Sequence, residues 1–143
     1  MKYKKSKFDN SVIVIFLEKG DEKYESFSEK FKKHGYAFIH EKTIIVDFTT
    51  LKKLGYADKD YLTFIESHEI SHKILNHKSV QRKTETEADY LGILLCLENG
   101  YKKSAKIGIE NFKSRNNISF EKYDTKHRSR FLSFAKKLSL IHI

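Results

Sequence analysis

Apolar side chains in the first fifty residues gather in short runs rather than at helical spacing. The run at 12–17 (VIVIFL) predicts a buried strand. Segments 36–40 and 43–48 are rich in aromatic and β-branched residues, which predicts a pair of short strands or a hairpin. The N-terminal part of the chain is therefore expected to form a small sheet.

From residue 58 onward the apolar positions recur at helical spacing. A long helix is predicted from Asp58 or Asp60, as N-cap, to about Asn76, and another helix over 85–98 ends at Asn99. Strands followed by helices predict an α+β fold, in which a short N-terminal sheet packs on the long helix and the C-terminal half is mostly helical. Three further segments have helical character, and Gly35 is predicted to cap the end of the first. The segments are 21–33, 102–115 and 127–138.

The length of 143 residues is enough for one domain, spanning 1–143, with a core of its own. The one cysteine, Cys96, lies in the apolar run LGILLCL and is predicted to be a small core residue. A single cysteine cannot form an intrachain disulfide, so the composition excludes a secreted fold built on disulfides.

The longest apolar runs, 11–17 and 91–97, are far shorter than the ~20 residues that a membrane-spanning helix needs. The basic N-terminal segment lacks the small-residue cleavage site of a signal peptide. We therefore expect a soluble, cytoplasmic protein without a membrane span.

Positive charge is concentrated in the last third of the chain. The formal net charge is +9, and residues 101–143 contain eleven Lys and Arg against three Asp and Glu. Residues 36–100, by contrast, contain eight basic and ten acidic side chains. The basic C-terminal third predicts a docking surface for an acidic partner or, weakly, for nucleic acid. The alternative is a solvated, lysine-rich helical surface.

The long predicted helix contains His68-Glu69-Ile70-Ser71-His72, a complete H-E-x-x-H. Two histidines four residues apart lie one turn above each other on the same helix face, so both imidazoles can reach one ion. Neutral imidazole suits zinc, and a catalytic zinc site needs three protein ligands and an open position for water. The sequence therefore predicts His68 and His72 as metal ligands, Zn2+ as the cofactor and Glu69 as the general base.

A third ligand is predicted at the start of the following helix. Glu85 comes thirteen residues after the second histidine and returns toward the histidine face if the two helices are antiparallel neighbours; Glu87 is its rival. Asp89, one turn beyond Glu85, can accept the outer N–H of a metal-bound imidazole. His77 follows the first histidine by nine residues, roughly 900° of helical rotation, and is predicted to point away and to end the helix.

The motif and its continuation resemble a known family. H-E-I-S-H followed by E-T-E-A-D-Y-L-G and a helix ending in G-Y is similar to the gluzincin metallopeptidases of the HtpX and CAAX-prenyl-protease type, and in size to the soluble minigluzincins. The resemblance covers about residues 36–135: upstream, Ala37-Phe38 and the strand 43–48 are similar to the family's active-site rim, and downstream it reaches His127 and Arg130. It implies a zinc peptidase with Glu85 as third ligand, Asp89 as its supporting partner and Glu69 as base. The ImmA/IrrE type, which shares H-E-x-x-H and a later E-x-x-A-[DN], is a second similar family.

The expected reaction is hydrolysis of a peptide bond in a protein or peptide substrate. Glu69 takes a proton from the attacking water and delivers it to the leaving amine. His127 is the candidate donor to the oxyanion, with an ordinary surface histidine as the alternative. The predicted strand 43–48 forms a rim that holds an extended substrate by strand addition. Two alternatives stay open: a regulatory protease that cleaves a repressor or DNA-bound protein, and a zinc-binding interaction module without turnover.

Overall fold

The computed structural model of the protein describes residues 2–137 and has the α+β fold that the sequence predicts. The strand order is β1-β2-β4-β3, in which β2 pairs parallel with β4 and the other neighbours are antiparallel. The two inner strands are therefore β2 and β4, and β1 and β3 are the edge strands. The four strands of the sheet are β1 Lys2–Lys5, β2 Ile13–Leu17, β3 Ala37–His40 and β4 Thr43–Asp47.

Six helices are present among the described residues, and a short 3-10 turn, Glu25–Phe27, leads into the first of them. None of these helices combines the length and apolar character that crossing a membrane requires. The long helices α3 and α4 pack against each other, and α5 packs against both. The helices are α1 Ser28–His34, α2 Phe48–Leu54, α3 Lys59–Ile74, α4 Arg82–Glu98, α5 Lys102–Arg115 and α6 Phe120–Lys137.

Both faces of the sheet are covered by helices, as the contacts of the inner strand β4 show. Ile44 and Val46 belong to the main core, which also contains Phe64 of α3. Ile45, between them, belongs to a smaller cluster with Phe31 of α1. Successive side chains of a strand point to opposite faces, so β4 is buried on both sides.

Two elements have no counterpart in the prediction. Strand β1 has the sequence KYKK, whose polar residues give no signal of a buried strand; it pairs along the edge of β2. Helix α2 begins at Phe48, inside a segment predicted as strand, because the Asp47 side chain accepts a 3.1 Å hydrogen bond from the Thr50 backbone N–H and caps the helix.

The predicted helices are present, and α5 has the predicted ends, 102–115. The helix predicted over 21–33 is α1, which begins only at Ser28. The other helices also differ at their ends. Asp58 rather than Asp60 caps α3, accepting a 3.1 Å hydrogen bond from the N–H of Tyr61, and the helix ends at Ile74 instead of Asn76. The helix predicted over 85–98 starts three residues earlier, at Arg82, and that predicted over 127–138 starts at Phe120. The predicted end of the last helix, residue 138, lies outside the described residues.

The N-terminal segment is tied to α3 through Glu66, which is 2% exposed. Its carboxylate accepts hydrogen bonds from Lys4 Nζ (2.7 Å), Ser6 Oγ (2.7 Å) and the Lys7 backbone N–H (2.5 Å). Each carboxylate oxygen therefore has a donor, which is the condition for burying a charged group without a large penalty. The contact fixes the N-terminal segment on the helix that carries the H-E-x-x-H motif.

Candidate metal centre

The two histidines of the motif lie side by side on α3. Because four residues make slightly more than one helical turn, His68 and His72 project from the same face. Their Nε2 atoms are 3.1 Å apart, with His68 buried and His72 half-buried. Both rings therefore direct one nitrogen toward the same point.

Helix α4 brings a carboxylate to that point. Glu85 Oε2 lies 2.9 Å from His68 Nε2 and 3.3 Å from His72 Nε2. The close approach of α4 to α3 depends on Gly92, where an added Cβ would lie 3.1 Å from the backbone nitrogen of His68. The predicted third ligand thus meets the histidines, whereas its rival Glu87 bonds elsewhere.

The three atoms form a triangle that fits one metal ion. Its sides are 2.9, 3.1 and 3.3 Å. Tetrahedral coordination with bonds of ~2.0–2.1 Å separates ligand atoms by roughly 3.3 Å, so little movement is needed. His68, Glu69 and His72 also form a group whose potential ligand atoms lie within 4.8 Å of one another. The protein therefore has a histidine–glutamate cluster able to hold a metal ion.

A buried carboxylate supports His68 from behind. Asp89 is 1% exposed, and its Oδ1 lies 2.8 Å from His68 Nδ1. When His68 Nδ1–H donates to Asp89, the Nε2 lone pair stays available for a metal ion. Arg115 of α5 lies on the other side of Asp89, with Nη1 3.4 Å from Oδ2. The sequence predicts Asp89 in this position but gives no signal for Arg115, which lies 26 residues further on.

The surroundings of His68 favour positive charge. Burial by itself would lower the pKa of His68, but its hydrogen bonds to Asp89 and Glu85 outweigh burial and raise that pKa to about 10. Burial would raise the pKa of Glu85, yet hydrogen bonds with His68 and His72 bring that pKa well below its usual range. Carboxylates that attract a proton to this point attract a metal cation in the same way.

Glu69 lies beside the ligand triangle. Its Oε2 is 4.0 Å from His68 Nε2, and the residue is buried. Burial raises the pKa of Glu69 to about 8, although the neighbouring His68 opposes the shift. A buried carboxyl group whose pKa is perturbed beside a cation site is a candidate for proton transfer.

His77 lies against the cluster, and the prediction that it points away is wrong. Helix α3 ends before it, and the chain reverses at Asn76, whose φ is +55°. The His77 N–H donates to the His72 carbonyl (3.0 Å) and the Asn76 N–H to the Lys73 carbonyl (3.1 Å), the hydrogen bonds of a Schellman motif. As a result His77 Nδ1 lies 2.8 Å from His72 Nδ1. The rotation argument fails because it continues the helix past its end.

A cleft crosses the cluster. Two cavities, of about 240 and 190 Å³, meet beside the ligand triangle. The larger cavity extends over the ring of Tyr61 toward Arg115, and the smaller one extends toward Val80. The residues that line both cavities are His34, Ala37, Glu69 and Glu85.

The strand that borders the cleft is β3, so the predicted rim at 43–48 is wrong. Strand β4 is paired with β2 on one side and β3 on the other, which leaves it no free edge for a further strand. Ala37, Phe38 and Ile39 of β3 line the cleft, and the first two are the residues that the resemblance places at the rim together with 43–48. The sequence predicts both strands but not their order in the sheet.

His127 lies outside the cleft. It lines a groove of about 600 Å³ between the start of α4, the α5–α6 connection and α6, which we call the basic groove. Its ring centroid is 4.3 Å from that of Tyr123, and its Nδ1 is 3.2 Å from Arg130 Nη2. The side chains with hydrogen-bond donors that line the cleft near Glu69 include His34, Tyr36 and Arg115.

Of the site residues that were not predicted, only His77 had a signal in the sequence that could have placed it at the site. Asn76 was a usable signal for His77, because Asn is one of the residues that adopt the left-handed conformation after a helix and turn the chain back. His34, Tyr36 and Arg115 carry no such signal, since they reach the cleft from α1, the residue before β3 and the end of α5.

No family model matches the chain, and comparison with curated proteins and with solved structures gives no match either. The support for a function therefore comes from the motif and from the geometry of the residues around it. That geometry supports a metal-binding H-E-x-x-H cluster.

Proposed function

We propose that the protein is a zinc-dependent metallopeptidase of the gluzincin type, acting on proteins or peptides. The observation that carries the proposal is the triangle of His68, His72 and Glu85 with buried Glu69 beside it. Two imidazoles and one carboxylate are a ligand set that catalytic zinc uses, and a structural zinc site has four protein ligands and no need of a neighbouring base. The ligands here border a cleft.

The chain's own residues account for the proton transfers. When bound, zinc supplies Lewis-acid chemistry, which polarises a carbonyl and makes water more acidic. Glu69 accepts the proton that water loses as its oxygen bonds to the carbonyl carbon. It then passes that proton to the amine nitrogen as the carbon–nitrogen bond breaks. We assign the hydrogen bond to the oxyanion to a donor that lines the cleft, His34 or Tyr36, because His127 lies in the basic groove.

An extended peptide is the expected substrate form. Within residues 2–137 no strand pairs with the outer edge of β3, and its residues Ala37, Phe38 and Ile39 line the cleft. Backbone hydrogen bonds to such an edge would hold a substrate strand across the ligand triangle with little dependence on its sequence.

The regulatory-protease alternative draws support from the basic groove. Arg82, Lys83 and Arg130 line it, and within residues 2–137 no carboxylate forms an ion pair with any of them. Tyr123 and Ile118 give the groove an apolar surface. We propose that it takes an acidic segment of a protein substrate, in which carboxylates flank an apolar side chain.

Paired measurements of zinc content and hydrolysis test the main proposal. The parent chain, Glu69→Gln and the control Glu110→Gln, an exposed carboxylate of α5, are compared for bound zinc and for cleavage of casein and of the chain itself. We expect one zinc in each protein and loss of hydrolysis in Glu69→Gln alone, because an amide cannot accept the proton from water.

Two results would contradict the proposal. Zinc in the parent chain without hydrolysis of any substrate would favour the interaction module without turnover. A parent chain that takes up no zinc would remove the metal centre itself.

A further inference from the structure

We infer that His77 and Glu87 form a positioning pair that holds His72, the second histidine of the cluster, in the orientation and tautomer that metal binding requires. The inference rests on the proposed zinc site and adds two residues to it. His77 Nδ1 lies 2.8 Å from His72 Nδ1, and His77 Nε2 lies 3.0 Å from Glu87 Oε1. The side chains are largely buried, with exposures of 15% for His72, 9% for His77 and 18% for Glu87.

One arrangement of protons satisfies all of these contacts when a metal is bound. His72 must keep the Nε2 lone pair for the metal, so its proton is on Nδ1. That N–H donates to His77 Nδ1, which must then be an acceptor. The proton of neutral His77 is consequently on Nε2, where it donates to the carboxylate of Glu87. Glu87 therefore fixes the tautomer of His77, and His77 fixes that of His72.

The pair is the counterpart, for His72, of what Asp89 does for His68. Both carboxylates belong to α4, but Asp89 reaches His68 directly, 2.8 Å away. The contact of Glu87 with His72 runs through His77. Each histidine thus turns Nε2 toward the triangle and has Nδ1 held by a chain that ends in a carboxylate, the arrangement that orients metal-bound imidazoles and increases their basicity.

His77 is not an additional ligand in this geometry. It contacts His72 on the Nδ1 side, whereas Nε2 of the same ring faces Glu85, 3.3 Å away. The ring planes of His72 and His77 are 71° apart with centroids at 5.0 Å, so the two imidazoles meet nitrogen to nitrogen rather than by stacking. The backbone also prepares this contact, because the hydrogen bond from the His77 N–H to the His72 carbonyl closes the end of α3.

Zinc affinity, measured by competition with a chromophoric chelator, tests the inference in four variants and a control. His77→Ala is expected to lower affinity by about 10–100-fold. Glu87→Gln should lower it less, and the double variant should bind no more weakly than His77→Ala, because Glu87 acts through His77. His77→Asn leaves an acceptor for the His72 N–H and should recover part of the affinity. Lys53→Ala, an exposed residue of α2 away from the cleft, should bind as the parent does.

A measurement without metal gives a second, independent readout. The imidazole nitrogen chemical shifts of metal-free protein report which ring nitrogen of His72 carries hydrogen. The amide of Glu87→Gln can donate as well as accept, so in this variant the shifts should show that His77 is no longer held in a single tautomer. In His77→Ala they should show the same loss for His72.

Unchanged zinc affinity in Glu87→Gln would overturn the inference, even if His77→Ala failed to fold, and so would unchanged affinity in His77→Ala. Additive losses in the double variant would also overturn it, since they would mean that the two residues act separately. A protein that binds zinc with this dependence but hydrolyses nothing would contradict the proposed peptidase and leave the positioning pair intact.

Discussion

The carboxylate of Asp89 lies 2.8 Å from Nδ1 of His68, across the contact between α3 and α4 and 21 residues of sequence. Asp89 is 1% exposed, so little water competes for this hydrogen bond. The contact joins α4 to the first histidine of the proposed metal site and makes the orientation of that histidine depend on helix packing.

Replacing Asp89 by Asn should weaken metal binding without removing a ligand. Asn keeps the shape but loses the negative charge that supports a metal-bound imidazole, so we expect zinc affinity to fall by about 10–100-fold. Chelator competition measures the change, and Asp60→Asn, in the first turn of α3, is the matched control. Unaltered affinity, while Glu85→Ala abolishes binding in the same assay, would show that Asp89 has no part in the site.

Gly92→Ala should loosen the contact between α3 and α4 at the metal ligand. The new Cβ would lie 3.0 Å from Ser67 Oγ and 3.1 Å from the His68 backbone nitrogen, and the latter cannot move without the helix. Overpacking costs roughly 1–3 kcal/mol against a gain of ~1 kcal/mol in helix propensity. We therefore expect a net loss of stability on chemical denaturation together with weaker zinc binding.

Gly108→Ala separates these two effects. Its Cβ would meet the side chains of Phe64 (2.5 Å) and Ile93 (2.7 Å) but no metal ligand. Stability should fall while zinc affinity of the folded protein is kept. Equal loss of affinity in both variants would mean that Gly92 acts through general destabilisation.

Glu66→Ala should destabilise the fold strongly. The substitution leaves the buried Ser6 hydroxyl and the Lys7 N–H without their acceptor, which costs about 1–3 kcal/mol, and it also removes the partner of the half-exposed Lys4 ammonium. Denaturant unfolding measures the loss. Glu98→Ala removes the half-exposed partner of Arg128, 3.4 Å away, and should cost only ~0–1 kcal/mol. Similar losses in the two variants would contradict the anchoring role of Glu66.

Binding in the basic groove should depend on charge and on salt. A fluorescent peptide of alternating Glu and Leu should bind the parent chain, lose affinity as salt rises, and fail to bind Arg82→Glu/Arg130→Glu. Lys19→Glu, an exposed residue of the N-terminal half, is the control. If a random DNA duplex bound more tightly than the peptide, the partner of the basic groove would be nucleic acid rather than an acidic protein segment. If neither the peptide nor the duplex bound at ~50 mM salt, the basic groove would be a solvated surface without a partner of these two kinds.

The charge counted in residues 101–143 does not correspond to one charged surface of the folded protein. Part of that charge is neutralised in the fold: Arg128 pairs with Asp124 and Glu98 at 3.3 and 3.4 Å, and Arg115 with Asp89 at 3.4 Å. The basic groove combines Arg130 of α6 with Arg82 and Lys83 of α4, which lie outside that segment. A count of charges along the chain cannot show which cations meet.

Within a single element the sequence was sufficient, because the spacing of residues fixes which side chains share a face. The four-residue intervals from His68 to His72 and from Glu85 to Asp89 each place two side chains on one face, because a helix has 3.6 residues per turn. Contacts between elements needed the tertiary structure. The reversal at Asn76 brings His77 to His72, and the pairing order makes β3 an edge strand. Arg115 meets Asp89 through the packing of α5, whereas His127 stays in the basic groove. Such contacts depend on where helices end and how they pack, which many distant side chains decide together.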